Sequence, residues 1–307
     1  MKIRFTLVAI LGSILPSGAA TFVTLTSPDG LWKVSADEFG AYGEGVGGSF
    51  AQRNFGAGLT GYAWESGVLI TNGASAQWLA GQEHFTGAGY AGAALGAANL
   101  ISDTSTSSSR TSVYTTGAFP NLRISLTQSV NNTGIIQQYA ITNTGAAAAG
   151  FSFISFHDTD LDAGTFLNDI VTSGPGFLRV SEGGRNLFFS SGGPGYNGFL
   201  AAHVPGSGVT GGANVLAQNN AGIPTGILNQ FRDVTGGNIG ADFDVDLNGV
   251  SDVPTDVGYL LQHTLSIPSN GTVTISLVTG SAAVPEPAAA GLAGLLGLLA
   301  LCRRRRG

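Results

Sequence analysis

The chain has 307 residues, of which 48 are Gly and only 10% are charged, with a formal net charge of −6. Typical soluble proteins carry about 25% charged residues. A hydrophobic share of 43% supports a packed core and excludes wholesale disorder. The scarcity of Lys and Arg excludes a nucleic-acid binder, and a single Cys excludes a disulfide scaffold.

The chain opens Met1-Lys2-Ile3-Arg4, continues through an apolar run over residues 5–15, and reaches Pro16-Ser17-Gly18-Ala19-Ala20. Positive charge, a short apolar stretch and small residues in that order match a secretory signal peptide, with cleavage after Ala19 or Ala20. This mostly apolar run of eleven residues is too short for a membrane span, which needs about 20. No Arg-Arg pair is present there, so the general secretion route is expected rather than the twin-arginine one.

From residue 21 the pattern is that of strands. Residues 22–26, 31–35 and 68–71 are β-branched or apolar runs bounded by turn residues. Residues 86–109 are mostly small or polar and predict a long loop. Residues 122–130 alternate apolar and polar side chains, as a half-buried strand does, and residues 135–142 and 151–156 predict two more. Residues 205–212 predict a glycine-rich loop. Residues 259–267 and 272–278 flank Pro268-Ser269-Asn270-Gly271, and Asn-Gly between apolar runs predicts a hairpin. No sustained helical period appears between residues 21 and 283. Many short strands with Gly, Asn and Ser punctuation predict an all-β fold, an antiparallel β-sandwich of jelly-roll or Ig-like type. The expected organisation is a signal peptide (1–20), one exported sandwich domain (21–283) and a tail (284–307). A split near residues 100–110 is the alternative.

The exported part is more acidic than the whole chain. Seven of the bases lie between residues 21 and 283, against eighteen of the acids, giving a net charge near −11. Half of those acids fall in two clusters. Counting from Asp244, oxygen-bearing side chains stand at positions 1, 3, 5 and 9 (Asp244, Asp246, Asn248, Asp252), with Gly249 at 6 and the Val250 carbonyl at 7. Calcium takes six to eight hard oxygens, and a glycine permits the turn that converges alternate residues on one ion. The run resembles the Asp-rich loops of thrombospondin type 3 repeats and half an EF-hand. It departs from the latter at Thr255, where a bidentate Glu belongs, and at Pro254. The first cluster, Asp158, Asp160 and Asp162, follows a strand and forms a weaker calcium candidate, because adjacent carboxylates are unfavourable without a cation. Solvated acidic turns are the alternative reading of the second cluster and the favoured one of the first, since Asp and Asn favour turns.

The C-terminus reads Val284-Pro285-Glu286-Pro287, then an apolar run over residues 288–301, then Cys302 and Arg303, Arg304, Arg305 and Arg306. Fourteen apolar residues give about 21 Å of helix, short of a hydrocarbon core of about 30 Å unless the bilayer thins or the arginines snorkel. The arginines should stay cytoplasmic, which places the remainder outside. This order resembles the PEP-CTERM sorting tail of exported bacterial proteins. The resemblance covers residues 284–307 only. It implies processing near Pro285-Glu286-Pro287 by the membrane protease-transpeptidase exosortase, transient anchoring in the inner membrane, and delivery to the cell surface, often alongside exopolysaccharide. It implies no activity for residues 21–283.

Catalytic motifs are sparse. Four histidines (His84, His157, His203, His263) show no metal-ligand spacing, and no Gly-x-Ser-x-Gly elbow occurs. Five Gly-x-Gly-x-x-Gly matches read as glycine-rich loops. Three functional readings follow. The leading one is a non-catalytic exported cell-surface or matrix protein whose partners are the secretion machinery and exosortase. The alternatives are an exopolysaccharide-binding module with exposed aromatics and calcium-organised loops, and a secreted glycoside hydrolase with two facing carboxylates.

Overall fold

The computed structural model describes residues 21–43, 49–63, 65–72, 74–80, 95–159, 161, 169–174, 177–203, 238–239 and 257–281. Residues 1–20, read as a signal peptide, residues 284–307, read as a sorting tail, residues 205–212, read as a loop, Asp160, Asp162 and the calcium candidates of residues 244–252 lie outside them.

The strands in chain order begin with β1 (Val23–Thr26), β2 (Trp32–Ala36), β3 (Phe50–Asn54), β4 (Leu59–Gly61), β5 (Glu65–Thr71) and β6 (Ala76–Leu79). There follow β7 (Leu100–Ser105), β8 (Ser109–Thr115), β9 (Leu122–Asn131), β10 (Gly134–Asn143), β11 (Ala149–Thr159) and β12 (Ile170–Gly174). The last are β13 (Phe177–Glu182), β14 (Arg185–Gly192), β15 (Tyr196–His203), β16 (Asn238–Ile239), β17 (Val257–Ile267) and β18 (Thr272–Gly280). Among the described residues the helical content is one 3-10 turn at Ala97–Asn99. The described part is therefore all-β, as expected.

Three sheets form. One has four strands in the order β1-β2-β3-β4, one has eight in the order β12-β13-β14-β18-β10-β9-β8-β7, and one has six in the order β16-β15-β17-β11-β5-β6. Pairing is antiparallel throughout except between β15 and β16. The eight-stranded sheet is amphipathic. In β9, Leu122, Ile124, Leu126 and Val130 are buried while the alternating residues are part-exposed, which is the period-2 signature carried into the fold. Leu122, Ile124 and Leu126 join one core cluster with Val68 and Ile70 of β5, Phe151 and Phe153 of β11, and Leu265 of β17. The eight- and six-stranded sheets thus face each other across a shared core, an arrangement consistent with a β-sandwich. Strand β11 sits between β5 and β17 and is buried at consecutive positions from Phe153 to His157. That explains its near-continuous apolar sequence.

The four-stranded sheet packs into a second core cluster, where Trp32, Val34 and Ala51 join Phe156 of β11 and Phe189 of β14. Trp32 meets Tyr62 edge-on at 6.0 Å, and the Arg53 guanidinium lies 4.7 Å from the Trp32 ring. Arg53 Nη1 then donates to the Asn186 carbonyl on β14 at 2.8 Å.

Two expectations differ from the structure. The predicted loop over residues 86–109 contains strand β7, paired to β8 alone and exposed at all but its first residue. An edge strand solvated on both faces needs no apolar alternation, so Ser and Thr suffice. The Asn270-Gly271 turn is present, with Asn270 at φ 55° and Gly271 N donating to Pro268 O at 2.9 Å, but it does not close a hairpin. Strand β17 pairs with β11 and β15, while β18 pairs with β10 and β14, so the turn carries the chain from one sheet to the other. Pro268 lacks an N–H and cannot extend the ladder. Asn143 locks this crossing to the parallel one between β10 and β11. Its Nδ2 donates to the carbonyls of Ala147 at 2.7 Å, Ile267 at 3.0 Å and Pro268 at 3.2 Å.

Candidate functional site

The inner face of β8, β9 and β10 carries polar residues in the apolar phase of the alternation. Arg110, Gln128 and Gln137 occupy adjoining positions, with Arg110 opposite Gln128 and Gln128 opposite Gln137. All three are buried, as are Ser112, Tyr114 and Tyr139. A buried polar side chain costs free energy unless it is hydrogen-bonded, so this row must serve a partner.

The partner is the segment that follows β2. Five consecutive carbonyls, from Ala36 to Gly40, each accept a side-chain hydrogen bond from this face. Arg110 Nη1 donates to Ala36 O at 2.9 Å and Gln128 Nε2 to Asp37 O at 2.9 Å. Ser112 Oγ donates to Glu38 O, Tyr114 Oη to Phe39 O at 3.2 Å, and Gln137 Nε2 to Gly40 O at 2.7 Å. Within the segment, Asp37 Oδ1 accepts from the backbone N–H groups of Phe39, Gly40 and Ala41 at 2.9, 2.7 and 2.8 Å. Gly40 has φ +105°, and a Cβ there would collide with the Tyr139 hydroxyl and come within 2.9 Å of Leu126. Only glycine fits that bend. The result is an inserted loop whose backbone polarity is satisfied inside the core.

At the outer end of this loop lies a charged group. Glu38 is 4% exposed and Arg110 1%. Arg110 binds Asp103 through Nε at 2.9 Å and Nη2 at 2.7 Å, a bidentate pair, and its Nη2 stands 3.6 Å from Glu38 Oε2. Burial pushes the Glu38 carboxyl above its ordinary range; neighbouring Asp37 adds to this and Arg110 partly offsets it.

A second buried group surrounds His157 on β11. Its Nδ1 lies 2.9 Å from Ser66 Oγ, and its ring stacks on Tyr259 at 4.9 Å and 13°. Phe189 and Tyr42 close the cage at 5.6 and 6.5 Å. Burial lowers the His157 pKa to about 3, so the ring is neutral at ordinary pH. His263 on β17 has Nε2 at 2.6 Å from Ser191 Oγ and Nδ1 at 2.9 Å from Pro194 O. Burial lowers its pKa too, and the Pro194 contact works against this.

Of the residues singled out in the sequence, Asp158 stands on β11, in register with Glu65 of β5 on one side and Gly258 of β17 on the other. Among the described residues no group of three or more His, Cys, Asp or Glu side chains is placed to hold a metal. Trp32 and Trp78 are core residues, 1% and 2% exposed, so neither belongs to a stacking platform for sugars. Sequence reasoning passed over Glu38, Arg110, Asp103, Gln128 and Gln137. The available signal was polar residues in the inward phase of alternating strands.

No family model matches the chain, and no curated protein matches it. Similar solved structures include a bacterial glucoamylase complexed with acarbose, at TM-score 0.44 and 11% identity, over 86% of this chain and 34% of that one. The chain thus spans about a third of that glucoamylase. A galactose mutarotase-like protein from Lactobacillus casei gives TM-score 0.41 at 8% identity, over 85% of this chain and 99% of that one. A putative aldose 1-epimerase from Escherichia coli K12 gives 0.34 at 11%, over 85% and 99%.

Proposed function

We propose that the chain is an exported, non-catalytic cell-surface or extracellular-matrix protein, sorted through a PEP-CTERM tail processed by exosortase. The observation that carries this reading is the order Pro285-Glu286-Pro287, apolar run, Arg303 to Arg306 at residues 284–307. A basic cluster resists translocation, so the apolar run halts in the inner membrane with the acidic bulk already outside. The apolar run is short for a permanent anchor, which suits a tail that is removed.

The interior supports a structural role for the exported part. Arg110, Ser112, Tyr114, Gln128 and Gln137 each give a hydrogen bond to a carbonyl of residues 36–40. His157 is caged by aromatic rings and held neutral, away from the protonation range a general acid or base needs near neutral pH. These polar groups build the fold.

The test is processing in the source cell. In a strain with exosortase the surface form should have lost residues after the Pro285-Glu286-Pro287 motif by intact mass. Without exosortase, or with Arg303 to Arg306 replaced by Ser, the full tail should be retained. A tail retained equally in all three strains would refute the proposal.

A further inference from the structure

Thr21 is the first described residue, and most of its polar atoms are already engaged. Its N–H donates to Glu38 Oε2 at 2.8 Å, and its hydroxyl donates to the same oxygen at 3.2 Å. Its carbonyl accepts from Arg110 Nη1 at 2.7 Å, and its Oγ1 accepts from Arg110 Nη2 at 3.0 Å. Around it stand Glu38 from the inserted loop, Arg110 from β8 and, paired to Arg110, Asp103 from β7. Two carboxylates, Glu38 and Asp103, share one guanidinium. Burial and the Asp37 charge push the Glu38 carboxyl up, while the Thr21 N–H and Arg110 pull it down without cancelling the rise.

The residues before Thr21 are Ser17-Gly18-Ala19-Ala20, with small side chains one and three positions ahead of the Ala20–Thr21 bond. That is the pattern a signal peptidase accepts. We propose that export cleaves this bond and that the new α-ammonium of Thr21 becomes the missing cation, ion-paired to Glu38 in a site built by Glu38, Arg110 and Asp103. The inference rests on the export reading above and deepens it. The step is hydrolysis by the peptidase of the secretion machinery. Water supplies hydroxyl to the Ala20 carbonyl carbon, leaving a carboxylate on the released leader, and hydrogen to the Thr21 nitrogen. The amine then takes a proton from solvent, since an α-amino group titrates at about 7.7–8.0.

The nitrogen already stands at hydrogen-bonding distance from its carboxylate, so cleavage turns a neutral contact into a charged one without rearrangement. Capture of a chain's amino terminus by a prepared polar site is a known recognition mode. Removal of the leader therefore stabilises the body, and the processed protein is firmer than its precursor. An ammonium whose folded pKa is raised contributes stability that is full below about 8 and fades as pH rises through the folded value.

The experiment uses the processed protein recovered from outside the cytoplasm, wild type and Glu38→Gln. Lys33 is the only other amine between residues 21 and 283, so acetylation of the two amines is resolved by peptide mass across a pH series. The expected amino terminus is Thr21. Its amine should titrate at least about one unit above the ordinary range, because an opposite charge within about 4–6 Å shifts a group by 1–3 units. At pH 7 it should react about tenfold more slowly than in Glu38→Gln. The wild-type titration stands without the variant, should Glu38→Gln fail to fold. An amino terminus at any other residue, or a Thr21 amine with an ordinary pKa, overturns the docking while export stands. An uncleaved chain recovered from the cytosol overturns both.

Discussion

Acidification from pH 7 to 5 should weaken the fold through His157, by an amount the structure sets. The ring is 4% exposed, hydrogen-bonded at Nδ1 to Ser66 and stacked on Tyr259. In the unfolded chain it takes a proton near pH 6.5, whereas burial delays this to about pH 3 in the folded protein. Between those values the unfolded state binds more protons. Stability is therefore intact above pH 6.5, falls as pH drops, and has lost the full contribution by about pH 3. At pH 5 the difference is about 1.5 pH units, or about 2 kcal/mol. Urea denaturation of wild type and His157→Phe at both pH values isolates this contribution. Phe fills the aromatic cage but loses the hydrogen bond to Ser66 Oγ, so the variant starts lower at both pH values. Its pH-dependent loss should nevertheless be about 2 kcal/mol smaller than that of wild type. His263 and the carboxylates titrate in both proteins and cancel in the comparison. Equal losses in the two proteins would refute the assignment.

Other perturbations test the inserted loop, the crossing and the acidic run. Gly40→Ala should cost at least about 2 kcal/mol in a denaturation experiment, because a Cβ meets Tyr139 and Leu126 at a φ of +105°. Asn143→Ala removes the donor shared by three carbonyls and should cost about 1–3 kcal/mol by the same method. For the Asp244–Asp252 spacing, a higher melting midpoint in millimolar calcium than in chelator is expected, and Asp244→Ala with Asp246→Ala should abolish the difference. An unchanged wild-type midpoint would remove calcium from the account.

The fold was legible where one face of a strand meets the core and the other meets water. In β9 and β10, Leu122, Ile124, Leu126, Tyr139 and Ile141 mark the inward phase directly. Strand β7 was hidden because an edge strand exposed on both faces carries no hydrophobic phase. The β17–β18 connection was misread because a tight Asn-Gly turn specifies a reversal of direction, while partner choice depends on which neighbours are already paired. The polar row was written in the sequence as Gln128 among Leu126 and Val130, and Gln137 between Ile135 and Tyr139. Its meaning was not, since the five carbonyls it serves lie on a segment about 70 to 100 residues away in sequence. Local pattern reveals that a buried partner must exist and is silent about which one.

The central claim is that residues 21–283 end up beyond the inner membrane. Protease added to intact cells, with the outer membrane permeabilised and a tag placed within the body, tests it most directly. The account predicts that the tag is digested while a cytoplasmic control protein survives. A full-length chain that stays protected until the inner membrane is broken would contradict it.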